Sequence, residues 1–100
     1  MAEALLSIQI LPKTAAGEDI IPYVDRAIEI IRESGVPYRV GPLETTMEGS
    51  LDELLTIVKK MNAAMFEMGC PQVMSHIKLL ISGSGEASID RLLEKYPDGR

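Results

Sequence analysis

The chain has one cysteine, Cys70, no tryptophan, and four other aromatic residues: Phe66, Tyr23, Tyr38 and Tyr96. A lone cysteine excludes an intramolecular disulfide and a cysteine-ligated iron–sulfur cluster, and it fits a reducing compartment. With so few aromatics, the core must be built from Ile, Leu, Val, Ala and Met. Positive charge is also scarce. Ten Lys and Arg stand against 15 Asp and Glu, a formal net charge of −5. Nucleic-acid binding needs a basic surface, so no nucleic-acid partner is expected. No apolar run approaches the ~18 residues of a spanning helix, so no membrane partner is expected. The opening MAEALLSIQI lacks the basic stretch and cleavage site of a signal peptide. A cytoplasmic protein is the expectation.

What remains is ordinary for a globular chain: 100 residues, 46% hydrophobic and 25% charged. That length suits one domain, 1–100, with a small core. Residues 4–11 alternate, with Ala4, Leu6, Ile8 and Ile10 on one side and Ser7 and Gln9 on the other, and Pro12 ends the run. A helix is predicted over 19–34, with Asp19 as N-cap, Pro22 in the first turn and Gly35 after the last. Its apolar stripe is Ile20, Val24, Ala27, Ile28 and Ile31. Short strands at 36–40 and 43–49 flank the Gly41-Pro42 turn. A second helix opens on the capping box Ser50–Glu53, with Leu51, Leu54, Leu55, Val58, Met61, Met65 and Met68 as its stripe. A fourth strand at 72–82, a GSGE turn and a short helix at 88–96 complete the chain.

The order strand, helix, strand, strand, helix, strand is the split βαβ pattern. It predicts an α+β, ferredoxin-like βαββαβ sandwich: a four-stranded antiparallel sheet, two helices on one face, and a short C-terminal helix. Right-handed crossovers put both long helices on that face and make the first and third strands central. Leu6, Ile8, Ile10, Ile77, Leu79 and Ile81 should face the helices. The opposite face collects Ser7, Gln9, His76 and Lys78 beside Leu5, Leu11, Met74 and Leu80. Such a half-polar face suits a copy of itself or a small ligand.

The segment GPLETTMEGS (41–50) carries the polar groups that folding does not need. Alternation sets Glu44, Thr46 and Glu48 on one side and Leu43, Thr45 and Met47 on the other, although a bulge would shift this register. Glu48 sits just before a helix N-terminus, which favours a carboxylate. An ionised Glu accepts from a ring nitrogen or an exocyclic amine, and Thr hydroxyls both donate and accept. The set suits a small nitrogen heterocycle. It is equally what a strand and a solvated charge require. The lone His76 has no Cys, His or Asp at ligand spacing, so no metal site is expected. No nucleophile pairs with it, and Cys70 beside Pro71 reads as structural. GSGE lacks the glycines and Lys of a phosphate loop. LPKTAAGED (11–19) lacks the Arg of an acyl-phosphatase loop.

The segments SIQILP, SGVPYRVGPLETTMEG, SLDELLTIVKKMNAAMFEMG and SHIKLLI resemble the thiamine-binding-protein family, the YkoF-like group of small ferredoxin-like proteins. Its pattern of Ser, Gly-Pro, Thr, Glu and Gly is matched by Ser7, Gly41, Pro42, Thr45, Glu48 and Gly49. The resemblance implies a homotetramer, a dimer of dimers packed sheet against sheet. It also implies a thiamine or hydroxymethylpyrimidine ligand. No cofactor is expected.

Two functions stand beside each other at this stage. The first is a non-catalytic binding protein. Glu48 would accept from the pyrimidine, Thr45 and Thr46 would position it, and Ser7, Gln9 and His76 would assist. Met47 and Leu5 would flank the ring. The second is a self-association protein whose polar face only specifies the oligomer. An enzyme would need His76 and Glu48 together in one pocket.

Overall fold

The computed structural model describes residues 2–14 and 17–96. Strand β1 (Ala4–Lys13) leads through helix α1 (Ile21–Ser34) to strands β2 (Tyr38–Val40) and β3 (Thr45–Gly49). Helix α2 (Leu51–Glu67), strand β4 (Gln72–Ile81) and helix α3 (Ile89–Leu93) follow. The four strands form one antiparallel sheet in the order β2-β3-β1-β4. Thus β1 and β3 are central, and the fold is the α+β ferredoxin-like sandwich expected.

The core lies between the sheet and α1 and α2. Leu6, Ile8 and Ile10 of β1 and Met47 of β3 meet Ala27, Ile30 and Ile31 of α1 and Leu54, Ile57, Met61 and Met65 of α2. Alternation along β1 decides this, since only its even-numbered aliphatics reach the helices. On α2 the predicted stripe is rotated. Ile57 and Ala64 are buried, whereas Leu55 and Met68 are exposed. On α1, Ile30 is buried and Ile20 is exposed. In both helices, packing against a twisted sheet selects the buried stripe, and spacing alone does not.

Several boundaries differ from expectation for local reasons. β1 continues through Pro12 to Lys13. β3 pairs with β1 no further than Ile8↔Thr45, so beyond it β1 is itself an edge, where a missing N–H is tolerated. The Gly41 N–H donates to the Glu44 carbonyl at 2.8 Å, so the turn extends over Leu43 and β3 starts at Thr45. A Cβ on Gly41 would lie 2.8 Å from that carbonyl oxygen, which explains the glycine. Ile20 occupies the N-cap of α1 without a side-chain hydrogen bond. Asp19 Oδ1, one residue earlier, accepts from the Ile21 N–H at 3.0 Å. Gly35 closes α1 in the left-handed conformation at φ 82°. Ser50 caps α2, its Oγ accepting from the Glu53 N–H at 3.2 Å. In the 11–19 loop, Ala15 and Ala16 lie outside the described residues.

β4 departs most from expectation. Ile77, Leu79 and Ile81 stand opposite Ile8, Leu6 and Ala4, so they do share the helix side of the sheet. The helix layer does not cover them, and all three are exposed.

Candidate functional site

The face of the sheet away from α1 and α2 is organised in rows by the strand register. One row runs Arg39, Thr46, Ser7, Lys78 across all four strands. Within it the Ser7 and Thr46 hydroxyls lie 2.6 Å apart and share one hydrogen bond. The row on one side brings Glu48, Leu5 and Leu80 together. On the other side Gln9 stands opposite His76.

The short helix α3 lies over part of this face. Ser88 is its N-cap and accepts from the Arg91 N–H at 3.2 Å. The Ile89 N–H donates to Glu48 Oε1 at 2.8 Å. Ala2 and Ala87 exchange two backbone hydrogen bonds of 2.8 Å and tie the approach to α3 to the start of β1. Between α3, the sheet and the Gly41–Glu44 turn lies a cavity of ≈ 420 Å³. Leu5 and Thr46 form its floor. Arg39, Pro42, Leu43 and Glu44 line one wall, and Ile89, Leu92 and Leu93 of α3 line the other. Its size falls in the range of about 300–1,000 Å³ usual for small-molecule sites. Glu44 Oε1 receives Lys78 Nζ at 3.4 Å across the sheet.

The residues singled out from the sequence divide into four places. Thr46 lines the cavity, and its hydroxyl shares a hydrogen bond with that of Ser7 beside it on the same face. Glu48 is engaged with the first N–H of α3 and lines an adjoining hollow of ≈ 360 Å³ with Pro37, Tyr38, Arg39, Ile89 and Asp90. Gln9 and His76 share the open face but are not on the cavity wall. Thr45 is buried on the opposite side of the sheet, beside Met47, which is fully buried in the core. Period-two alternation makes this separation unavoidable, so neither Thr45 nor Met47 can share a ligand with Thr46. Of the two expected flanking residues, Leu5 lines the cavity and Met47 does not.

Three contributions were missed. Glu44 has the same strand parity as Thr46, so its place was readable. Arg39 stands directly opposite Thr46 in β2, which only the register reveals. Ile89, Leu92 and Leu93 have the i, i+3, i+4 spacing of an apolar helical stripe. That spacing marks a packed face without saying what it packs on.

The groups around the cavity offer hydrogen bonds and apolar contact. Cys70 is buried, and that burial, aided by the Glu18 charge, pushes its thiol above the ordinary range. His76 and Glu48 lie opposite Gln9 and Leu5, four residues apart along β1, or about 13 Å. They are not a catalytic pair. Among the described residues no group of three or more His, Cys, Asp or Glu is placed to hold a metal ion. No helix among them is long and apolar enough to cross a membrane.

A family model described as thiamine-binding protein matches residues 6–97. The chain is 41% identical to a UPF0045 protein of Clostridium perfringens, over 91% of this chain and 94% of that one. It superposes on a Bacillus cereus structure of the domain of unknown function DUF77 with TM-score 0.88 and 38% identity, covering 98% of this chain and 93% of that one. It superposes on a candidate thiamine biosynthesis/salvage protein of Thermotoga maritima with TM-score 0.83 and 28% identity, covering 94% and 98%.

Proposed function

The chain belongs to the thiamine-binding protein family, and from that premise we propose a non-catalytic, cytoplasmic binding protein for thiamine or its hydroxymethylpyrimidine part. The observation that carries this reading is the ≈ 420 Å³ cavity, where a carboxylate, a hydroxyl and a guanidinium interrupt otherwise apolar walls. Glu44 accepts from the exocyclic amine or a protonated ring nitrogen of the pyrimidine. Thr46, fixed by Ser7, positions the ring. Leu5 and Leu93 contact its faces. Glu48 acts indirectly, by seating the wall that α3 provides. The net charge of −5 is compatible with a cationic thiazolium.

The protein works as a homotetramer in which dimers pack open face against open face. Met74 and Leu80, both half-exposed there, support such packing, with Gln9 and His76 as polar groups inside the interface. The same two residues favour a second reading, in which the face serves assembly alone. Calorimetry with thiamine, hydroxymethylpyrimidine and unrelated heterocycles separates them. Binding of the first two in the micromolar range is expected. Equal and negligible heats for all would leave only the assembly role.

A further inference from the structure

Arg39 supplies the guanidinium of the cavity wall, and among the described residues it takes part in no hydrogen bond or ion pair. Arg26 on α1 behaves differently. It holds Glu29 at 3.1 Å and Glu33 at 3.2 Å. The carboxylates nearest Arg39 along β3 are engaged elsewhere. Glu44 receives Lys78 Nζ, and Glu48 receives the Ile89 N–H. Strand register fixes where the unmatched charge stands. Arg39 is directly opposite Thr46, with the two Cβ atoms about 5 Å apart. Glu44 lies two residues before Thr46, so an acceptor and a charged donor surround one hydroxyl.

We infer that Arg39 is the subsite for a phosphate monoester, so that the cavity prefers hydroxymethylpyrimidine esterified on its hydroxymethyl arm to the free alcohol. This rests on the pyrimidine reading above. Guanidinium and phosphate meet fork to fork, through two parallel N–H···O bonds that an alcohol cannot match. The side on which the anion sits follows from the neighbouring charges. In the adjoining hollow of ≈ 360 Å³, Glu48 and Asp90 repel it. On the cavity side, Glu44 is the one carboxylate among the lining residues, and Lys78 matches it. The net charge of −5 opposes an anion at long range. At 0.1 M salt that repulsion is screened over about 10 Å, so the nearby guanidinium decides. Glu44 and Thr46 then hold the amine and the ring, and Arg39 distinguishes ester from alcohol.

Calorimetry on the intact protein with hydroxymethylpyrimidine, its monophosphate and inorganic phosphate tests this. The monophosphate is expected to bind about tenfold tighter than the alcohol, as for a hydrogen bond to a charged group. That advantage should shrink as salt rises from about 0.05 to about 0.5 M. Arg39→Gln should abolish the advantage. Arg39→Lys should keep part of it, since an ammonium retains the charge but not the fork. Arg39 is exposed on a three-residue edge strand, so both variants should fold, with unchanged circular dichroism. Inorganic phosphate should bind far more weakly than the ester, and equal affinity would overturn the inference. So would equal binding of alcohol and ester by the wild type, or an ester advantage that survives in Arg39→Gln. Each of these would leave the pyrimidine reading standing, whereas no binding of either pyrimidine compound would overturn both.

Discussion

The hydroxyls of Ser7 and Thr46 meet at 2.6 Å across the two central strands, on the face that carries the cavity. Neither hydroxyl is needed to hold β1 against β3, because the ladder does that. Thr46→Val keeps the shape and removes the polar atom. Its expected effect on ligand binding is a loss of about 1 kcal/mol, read by calorimetry. Ser7→Ala should weaken binding less, because Thr46 keeps its own hydroxyl. An unaltered affinity in Thr46→Val would remove this row from the site.

Glu44→Gln and Glu48→Gln separate two carboxylates of one strand face. Glu44 is on the cavity wall, and Glu48 is turned to α3. Glu44→Gln should weaken binding by about 1–3 kcal/mol, the worth of a hydrogen bond to a charged group. Glu48→Gln should cost less affinity and instead loosen α3, seen as faster amide exchange at Ile89. The opposite ranking would return the acceptor role to Glu48.

How much of this was legible follows from which signals are local. The element order and the split between Thr46 and Thr45 follow from periods of two and 3.6, and the central strands from right-handed crossovers. The site was only partly legible. Arg39 reaches Thr46 through strand register, and α3 contributes its wall by folding back over the sheet. The exposure of Ile77, Leu79 and Ile81 was hidden for a related reason. Their alternation says which side they face, but the span of the helix layer decides whether anything lies over them.

Met47 is fully buried between the sheet and the helices. Met47→Ala should destabilise the fold by about 2–5 kcal/mol in denaturant titration, as expected for a large core side chain truncated in place. Ser50→Ala, which removes the acceptor for the Glu53 N–H, should cost about 1 kcal/mol. A cost at Met47 no larger than at Ser50 would contradict the burial.

Cys70 should resist thiol reagents at pH 8 in the folded protein and react quickly once it is unfolded. Burial raises its thiol above the ordinary range, so little thiolate is present. Tyr23 is raised as well, because its hydroxyl donates to Glu18 Oε2 at 2.7 Å. Both groups bind their protons more tightly folded than unfolded. Their contribution is therefore full below the ordinary thiol and phenol ranges and falls as pH rises through the folded values. Melting temperature should decline on the alkaline side, and the Cys70→Ala, Tyr23→Phe double variant should decline less steeply.

α3 has five residues, none of them buried, and it is anchored through Glu48 and the Ala2–Ala87 bridge. Its opening therefore costs little compared with global unfolding. The pocket is thus walled on one side by the central sheet and on the other by a latch. Entry and exit of a bound molecule need not disturb the core, and occupancy should register first as slowed hydrogen exchange across residues 87–93.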